Sequence, residues 1–267
     1  MIELLLPENR FNEDFYCKYI KNLKITTEYF LGNCPACNEI FKIKPLPFKL
    51  VDNVTKYPSL NCPYCGHRDY YHIFFSTDEP KTNLDTNKKC KCGLEYSVKG
   101  VTAICPNCVI FNSREIFLEE LEKLQEKIVS ENSWDNLSDC LLRLISQFDG
   151  FGRTTVRFPF FGKKIPNSLK TISFQNLEKA NEKINVEFGA EIKRFIKPND
   201  WNLIYKNFQK RHLVSHNLGI VDQEYITKTN DSSAIIGSKI TLDQKELLEV
   251  IQISKKLAIG IYGYIAS

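Results

Sequence analysis

The chain from Ser113 onward has apolar residues at the three- and four-residue spacing of amphipathic helices. In the first of these helices Leu121, Leu124 and Ile128 recur at that spacing after Ile116, and Ser113 is the predicted N-cap. Further helices are predicted over about 136–148, 169–188, 200–216 and 243–265. Four or five helices of this kind pack into an antiparallel bundle.

Gly, Pro and polar residues predict where these helices begin and end. The sequence Asp-Gly-Phe-Gly at 149–152 predicts the end of the second helix, and 153–168 is expected to be a loop. The fourth helix follows Pro198, and either Asn199 or Asp200 is expected to cap it.

The first part of the chain has a different pattern. Short runs of aromatic and β-branched residues at 40–43, 70–75 and 94–98 predict short strands. Residues 1–30 form a leader, with one short helix predicted around 14–23. The chain is therefore expected to be α+β and multidomain, with a β-rich first part and an all-α second part.

Composition fits two soluble domains. The chain has 267 residues, of which 43% are hydrophobic and 25% charged, and its apolar runs are too short to span a bilayer. The formal net charge is +4 with cysteine counted as neutral. A zinc ion with four thiolates carries −2, so two such sites would bring the total to roughly zero. The charge alone therefore does not indicate nucleic-acid binding.

Cysteine supplies the clearest chemical signal. Eight of the ten cysteines fall into four close pairs. The pairs are Cys34/Cys37, Cys62/Cys65, Cys90/Cys92 and Cys105/Cys108. Pro follows the first cysteine in three pairs and Gly follows the second in two, as a tight metal-binding turn requires. Four thiolates make one tetrahedral zinc site, so the sequence predicts two structural Zn²⁺ ions. Such closed sites have no open coordination position, so no catalytic metal is expected.

A disulfide framework is the rival interpretation of the pairs. It requires an oxidising compartment, whereas Pro7 and Glu8 interrupt the apolar core that a signal peptide would need. No targeting or lipidation signal is visible, so a cytoplasmic protein is expected.

The spacing leaves the pairing of the cysteine pairs open. Neighbouring pairs can join into two successive ribbons, or the outer pairs can join around the inner ones. His67 and His72 are weaker candidate ligands, because the cysteine set is already complete. Cys17 and Cys140 stand alone and are expected to be ordinary thiols.

The fourth helix carries a second candidate site near its end. Asn217 and Gly219 are helix stop signals, so His216 is expected in the last turn, where the helix dipole favours imidazolium. Arg211 lies five positions earlier, about 140° around the helix. One helix therefore cannot point both groups at one phosphate, whereas two copies around a dyad can.

Arg211, His212 and His216 resemble the motif of the HEPN family: an arginine, a polar residue, variable positions and a histidine near a helix end. The sequence Asn-Leu-Gly-Ile-Val-Asp at 217–222 is similar to the continuation in bacterial members. The wider pattern matches at 144–152, 174–178 and 208–212. The resemblance covers about 113–267.

The resemblance implies a HEPN-like helical bundle that forms a homodimer and cuts RNA without a metal, in phage defence or toxin–antitoxin growth arrest. By that resemblance Arg211 would stabilise charge on the transferring phosphoryl group, and His216 would be the general base or acid. His212 would contact a phosphate, and Asn217 would orient the reacting groups. The implied partners are an RNA substrate and an antitoxin or defence partner protein. No association with a membrane is implied.

Simpler alternatives stand beside this hypothesis. An arginine and two histidines at a helix end also occur as a solvated face, and HEPN folds that have lost catalysis act as sensors. The alternative is thus a non-catalytic module that binds nucleic acid, a nucleotide or a protein. The predicted organisation is a leader at 1–30, a double zinc ribbon at 31–112 that positions RNA or a partner, and the helical bundle at 113–267.

Overall fold

The computed structural model describes residues 30–34, 36–43, 60–69, 73–74, 86–98, 103–160 and 163–266. The chain divides into two compact units, Met1–Asn112 and Ser113–Ser267. The predicted leader with its short helix, Cys17 and His72 lie outside the described residues. Of the predicted strand at 70–75, only residues 73–74 are described as strand.

The described residues of the first unit include seven short strands. They are β1 Phe30–Asn33, β2 Ile40–Ile43, β3 Leu60–Asn61, β4 Arg68–Asp69, β5 Ile73–Phe74, β6 Thr86–Lys89 and β7 Glu95–Val98. Five of them form an antiparallel sheet in the order β5-β1-β2-β7-β6, and β3 pairs with β4. The strands predicted at 40–43 and 94–98 are confirmed, to within one residue.

The described strands and cysteine turns of this unit share one hydrophobic core. Phe41 and Ile43 of β2 are buried on alternate positions, and Tyr96 and Val98 of β7 are buried beside them. The pairing of Ile43 with Tyr96 joins the β1–β2 hairpin and the β6–β7 hairpin into one sheet. The buried residues of β2 and β7 therefore lie in a single cluster.

The second unit is helical. Its helices are α1 Ser113–Ser130, α2 Trp134–Arg157, α3 Asn167–Lys170, α4 Leu177–Phe188, α5 Pro198–His216, α6 Gln223–Thr229 and α7 Gln244–Ile265, with short 3₁₀ turns at Phe158–Phe160 and Ile192–Phe195. The fold is thus α+β, mostly helical with a small antiparallel sheet. Among the described residues, no helix is long and apolar enough to cross a membrane.

The predicted end of the second helix at 149–152 is wrong, since α2 runs on to Arg157. Position 152 requires glycine, because the ring of Phe174 occupies the space that a Cβ atom would need. Asp149 is buried and accepts the backbone N–H of Phe174 at 2.5 Å and Arg153 at 2.8 Å. Gly152 therefore makes room for Phe174, and Asp149 binds the backbone of Phe174. Neither residue breaks the helix.

Other helix ends also differ from prediction. The helix predicted over 169–188 is two helices, α3 and α4, and the second is capped by the side chain of Asn176. Helix α5 has Pro198 as its first residue and Lys197 at the N-cap, so neither Asn199 nor Asp200 caps it. Ser113 is the first residue of α1, and its buried hydroxyl lies 3.2 Å from that of Thr155.

The predicted apolar faces of α2 and α7 are confirmed, whereas in α1 Phe117 is buried and the predicted Ile116 is only half-buried. In α2 the residues Leu137, Leu141, Leu144, Ile145 and Phe148 are buried. Helix α7 begins at Gln244, one residue after its predicted start, and the side chain of Asp243 caps it. Phe148 is at the centre of this core, and its ring packs edge-on against those of Phe174 and Phe208 at 5.9 Å each. The contact with Phe208 fixes α5, which carries the candidate Arg/His site, against α2.

Candidate functional site

The eight paired cysteines converge as two groups of four. One group is Cys34, Cys37, Cys62 and Cys65, and the other is Cys90, Cys92, Cys105 and Cys108. Within each group all sulfur atoms lie within 4.8 Å of one another. Neighbouring pairs therefore join, and the alternative of outer with outer and inner with inner is excluded.

The sulfur atoms have the spacing of a tetrahedral metal site. Cys34 and Cys65 are 3.6 Å apart, as are Cys37 and Cys62. In the second group Cys90 and Cys108 are 3.4 Å apart. The sulfurs of a tetrahedron with metal–sulfur distances of about 2.3 Å are roughly 3.8 Å apart. The donor set and the spacing thus fit zinc at both groups.

Each ligand pair lies on the same kind of turn. The backbone N–H of the residue after the second cysteine donates to the carbonyl of the first, as from Gly66 to Cys62 at 2.9 Å. That residue has a positive φ in all four turns, and in two it is not glycine: Asn38 has 57° and Val109 has 63°. Glycine at this position was recognised in the sequence, but the general requirement for positive φ was not.

Cys92, in the second group, is the most exposed of the eight cysteine ligands. Cys92 is exposed, whereas Cys34, Cys62 and Cys105 are buried. Burial raises the pKa of the Cys62 and Cys105 thiols. Burial also acts to raise the pKa of Cys92, but hydrogen bonds led by the backbone of Leu94 lower it to about 7. Zn²⁺ binds the thiolate form, so it must displace the proton from the buried thiols.

The remaining candidate ligands do not join either group. His67 is exposed, and the metal-binding set beside it contains only cysteines. Cys140 is buried in α2, and its thiol donates to Asn136 at 3.8 Å. Burial raises the pKa of Cys140, so this thiol stays protonated, as expected of a core cysteine.

The candidate Arg/His residues lie in the last two turns of α5. His212 and His216 are both exposed, and their rings lie 4.8 Å apart at an angle of 51°. The four-residue spacing places them on one face. The structure therefore brings two imidazoles together at the negative end of a helix dipole.

Arg211 directly precedes His212 on the same helix. It is half-buried, and its Nε is buried without a hydrogen-bond partner among the described residues. A buried N–H without a partner carries a desolvation cost that no hydrogen bond from the described residues offsets. The five-residue separation still places Arg211 and His216 on different faces of one helix.

Asn217 and the residues after it form a fixed turn. The Asn217 side chain donates to the carbonyl of Ile220 at 2.7 Å, and its backbone N–H donates to Leu213. Gly219 has a φ of 76°, and a side chain there would meet the ring of Trp134 at 2.8 Å. The Asn217 amide thus holds the turn, and the turn fixes the end of the helix beside His216.

A buried charge network anchors the motif helix to α7. Lys210, next to Arg211, is 4% exposed and donates to Glu246 at 2.8 Å and to the carbonyl of Thr241 at 3.0 Å. Asn207 donates to the same carboxylate oxygen of Glu246, and Lys206 lies 3.3 Å from the other. Sequence reasoning missed this network, although a lysine on the inner face of an amphipathic helix was a usable signal.

No family model, curated protein or solved structure matches this chain. The function is therefore inferred from the geometry of the two sites and from the resemblance of the residues around Arg211.

Proposed function

We propose that the helical unit is a metal-independent endoribonuclease of the HEPN type, in which two copies of the chain build one active site. The observation that carries the proposal is the exposed pair His212 and His216 beside Arg211 at the end of α5. Two imidazoles supply acid–base groups near neutral pH, and a guanidinium supplies a fork for phosphate oxygens. The resemblance of these residues to the HEPN motif supports RNA cleavage as the reaction.

The chemistry uses the nucleophile that RNA carries. His216 removes the proton of a ribose 2′-hydroxyl, and the 2′-oxygen forms a bond to the adjacent phosphorus. The bond from phosphorus to the 5′-oxygen breaks, and that oxygen receives a proton from the imidazolium of the other copy or from water. Arg211 neutralises the charge that develops on the phosphoryl oxygens. The products are a 2′,3′-cyclic phosphate and a 5′-hydroxyl, and His212 binds a neighbouring phosphate.

A homodimer is needed for this site. Arg211 and His216 lie about 140° apart around one helix, so a dyad brings the arginine of one copy toward the histidine of the other. Light scattering of the full chain should therefore give twice the chain mass of 31.0 kDa. A monomer at micromolar concentration would contradict the composite site.

The first unit is proposed to be a double zinc ribbon that positions RNA or a partner protein. Both groups of four cysteines have the donors and the spacing of closed zinc sites. Zinc there would be structural, because four thiolates complete the tetrahedron. Thiolates persist in a reducing compartment, so the cytoplasm is the proposed location, with growth arrest or phage defence as the role.

The test is RNA cleavage by the purified full chain, with EDTA added to remove free divalent cations. Total RNA should be cut by the wild type, and Arg211→Ala and His216→Ala should each lower the rate at least ~10²-fold. Ser215→Ala is the matched control, since Ser215 is exposed in the same turn and occupies a variable position of the motif. Zinc content should be measured after the reaction in every variant.

Loss of cleavage in the two motif variants, with unchanged zinc content and mass, would support the proposal. An inactive wild type that binds RNA, a nucleotide or a protein would instead favour the non-catalytic sensor. Full activity in both motif variants would move the active site elsewhere.

A further inference from the structure

The two cysteine groups are joined by reciprocal hydrogen bonds between their ligand turns. The backbone N–H of Asn61, next to Cys62 of the first group, donates to the carbonyl of Pro106 at 2.7 Å. The side-chain amide of Asn61 donates to the same carbonyl at 3.2 Å. Pro106 lies between two ligands of the second group, Cys105 and Cys108.

The reverse contact has the same form. The backbone N–H of Ile104, next to Cys105, donates to the carbonyl of Pro63 at 2.8 Å. Pro63 lies between two ligands of the first group, Cys62 and Cys65. Each turn therefore receives a hydrogen bond from the residue that precedes the first cysteine of the other turn.

The same segments share one core. Cys62 and Cys105, one from each group, are fully buried in a cluster that also holds Leu60 and Ala103. The pairing of β2 with β7 adds backbone hydrogen bonds between the two hairpins. Asn61 is 6% exposed, so loss of its partner would leave a buried amide without a hydrogen bond.

We infer that the two metal sites bind cooperatively, with the Asn61–Pro106 and Ile104–Pro63 hydrogen bonds carrying the coupling; this rests on the proposal that each cysteine group holds a metal ion. A metal ion in either group orders the turn at Cys62–Cys65 or at Cys105–Cys108. The ordered turn then holds the proline carbonyl that accepts the hydrogen bond from the other group. Ordering one turn thus lowers the entropy cost of ordering the second. The coupling is reciprocal, so each site raises the affinity of the other by the same factor.

The first experiment is a titration of the metal-free, reduced full chain with Co²⁺, followed by the absorption of tetrahedral cobalt thiolate and by native mass spectrometry. The wild type should pass directly from the metal-free to the two-metal form. The one-metal form should stay well below its statistical proportion at one equivalent. One-metal protein at or above that proportion would overturn the inference.

The second experiment disables one group at a time, using ligands that are exposed or half-buried so that the shared core is kept. Cys92→Ala with Cys108→Ala removes the second site, and Cys37→Ala with Cys65→Ala removes the first. The intact site in each double variant should bind Co²⁺ at least ~10-fold more weakly than in the wild type. Cys140→Ala, a buried cysteine outside both groups, is the control and should bind two ions with wild-type affinity.

A third variant keeps all eight ligands. Asn61→Ala removes the side-chain hydrogen bond to Pro106 and should raise the one-metal population. Asn87→Ala is its control, because the Asn87 side chain accepts a hydrogen bond from Ser97 and does not join the two turns. Equal effects of Asn61→Ala and Asn87→Ala would contradict a role for Asn61.

These results separate the two proposals. If the wild type gives no cobalt–thiolate absorption, the metal sites themselves are refuted and the coupling with them. If the wild type binds two ions, and the intact site of each double variant binds Co²⁺ with wild-type affinity, the metal sites stand and the coupling is refuted.

Discussion

Gly152 in helix α2 lies against the ring of Phe174: a Cβ atom on this glycine would be 2.5 Å from Cγ of the ring. Gly150, two residues earlier in the same helix, has nothing within 4 Å of the same position. The two glycines thus have different roles in one helix. Gly152 permits close packing, whereas Gly150 is an exposed helical position that any residue can occupy.

Gly152→Ala should lower the free energy of unfolding by about 1–3 kcal/mol, since the added methyl group would overpack a fully buried aromatic core. Gly150→Ala should raise it by up to about 1 kcal/mol, because alanine has the higher helix propensity. Urea unfolding followed by circular dichroism measures both variants. Destabilisation of the same size in both would contradict the packing role given to Gly152.

Glu246 should make the stability of the helical unit depend on pH. Burial acts to raise the pKa of Glu246, but the hydrogen bonds and charge of Lys210, with Asn207 and Lys206, lower it on balance. A lowered folded-state pKa stabilises the fold above the unfolded value of about 4.3, and this contribution is lost as the pH falls through the folded value.

Glu246→Gln should therefore cost about 2 kcal/mol at pH 7, because the hydrogen bond from the buried Lys210 loses its charged acceptor. The difference between wild type and variant should shrink as the pH falls below about 4.3. Unfolding free energies across that range provide the measurement. Glu224→Gln, at the exposed ion pair with Lys228, is the control and should cost less than about 0.5 kcal/mol at any pH. A pH-independent cost of Glu246→Gln would contradict the assigned role.

Val109 is a branched residue in the left-handed region, with a φ of 63° directly after the ligand Cys108. That conformation costs roughly 1–2 kcal/mol for a residue other than glycine. Val109→Gly should therefore stabilise the metal-loaded first unit by about 1 kcal/mol, because its side chain is 43% exposed and packs little. Loss of the cobalt–thiolate absorption in urea reports on this unit.

Ile110→Gly is the comparison for Val109→Gly. Ile110 is 41% exposed, close to Val109, but its φ is not positive. Glycine there should destabilise by at least about 0.5–1 kcal/mol, since chain entropy and side-chain contacts are lost and no backbone strain is relieved. If both glycine variants destabilise equally, Val109 is not strained.

Local sequence signals predicted much of the fold. The three- and four-residue spacing predicted the buried faces of α2 and α7, and the paired cysteines predicted which residues converge. These signals succeed because helix faces and metal turns depend on residues close in the chain.

The remaining features depend on contacts between distant residues. Helix α2 continues through Gly150 and Gly152 because Phe174, in a later segment, fills the space beside it. Glu246 and Lys210 are 36 residues apart, so no local pattern pairs them. The joining of neighbouring cysteine pairs was likewise open from spacing, and three-dimensional convergence decided it.

The measurement that tests the central proposal most directly is the chemistry of the cut ends. A defined RNA oligonucleotide should be cleaved by the full chain, without added divalent metal, into fragments with a 2′,3′-cyclic phosphate and a 5′-hydroxyl, identified by mass spectrometry. A single 2′-deoxy nucleotide at the cut position should stop cleavage there, because the nucleophile is missing. Cleavage at the deoxy position, or fragments with a 5′-phosphate and a 3′-hydroxyl, would contradict the mechanism assigned to Arg211 and His216.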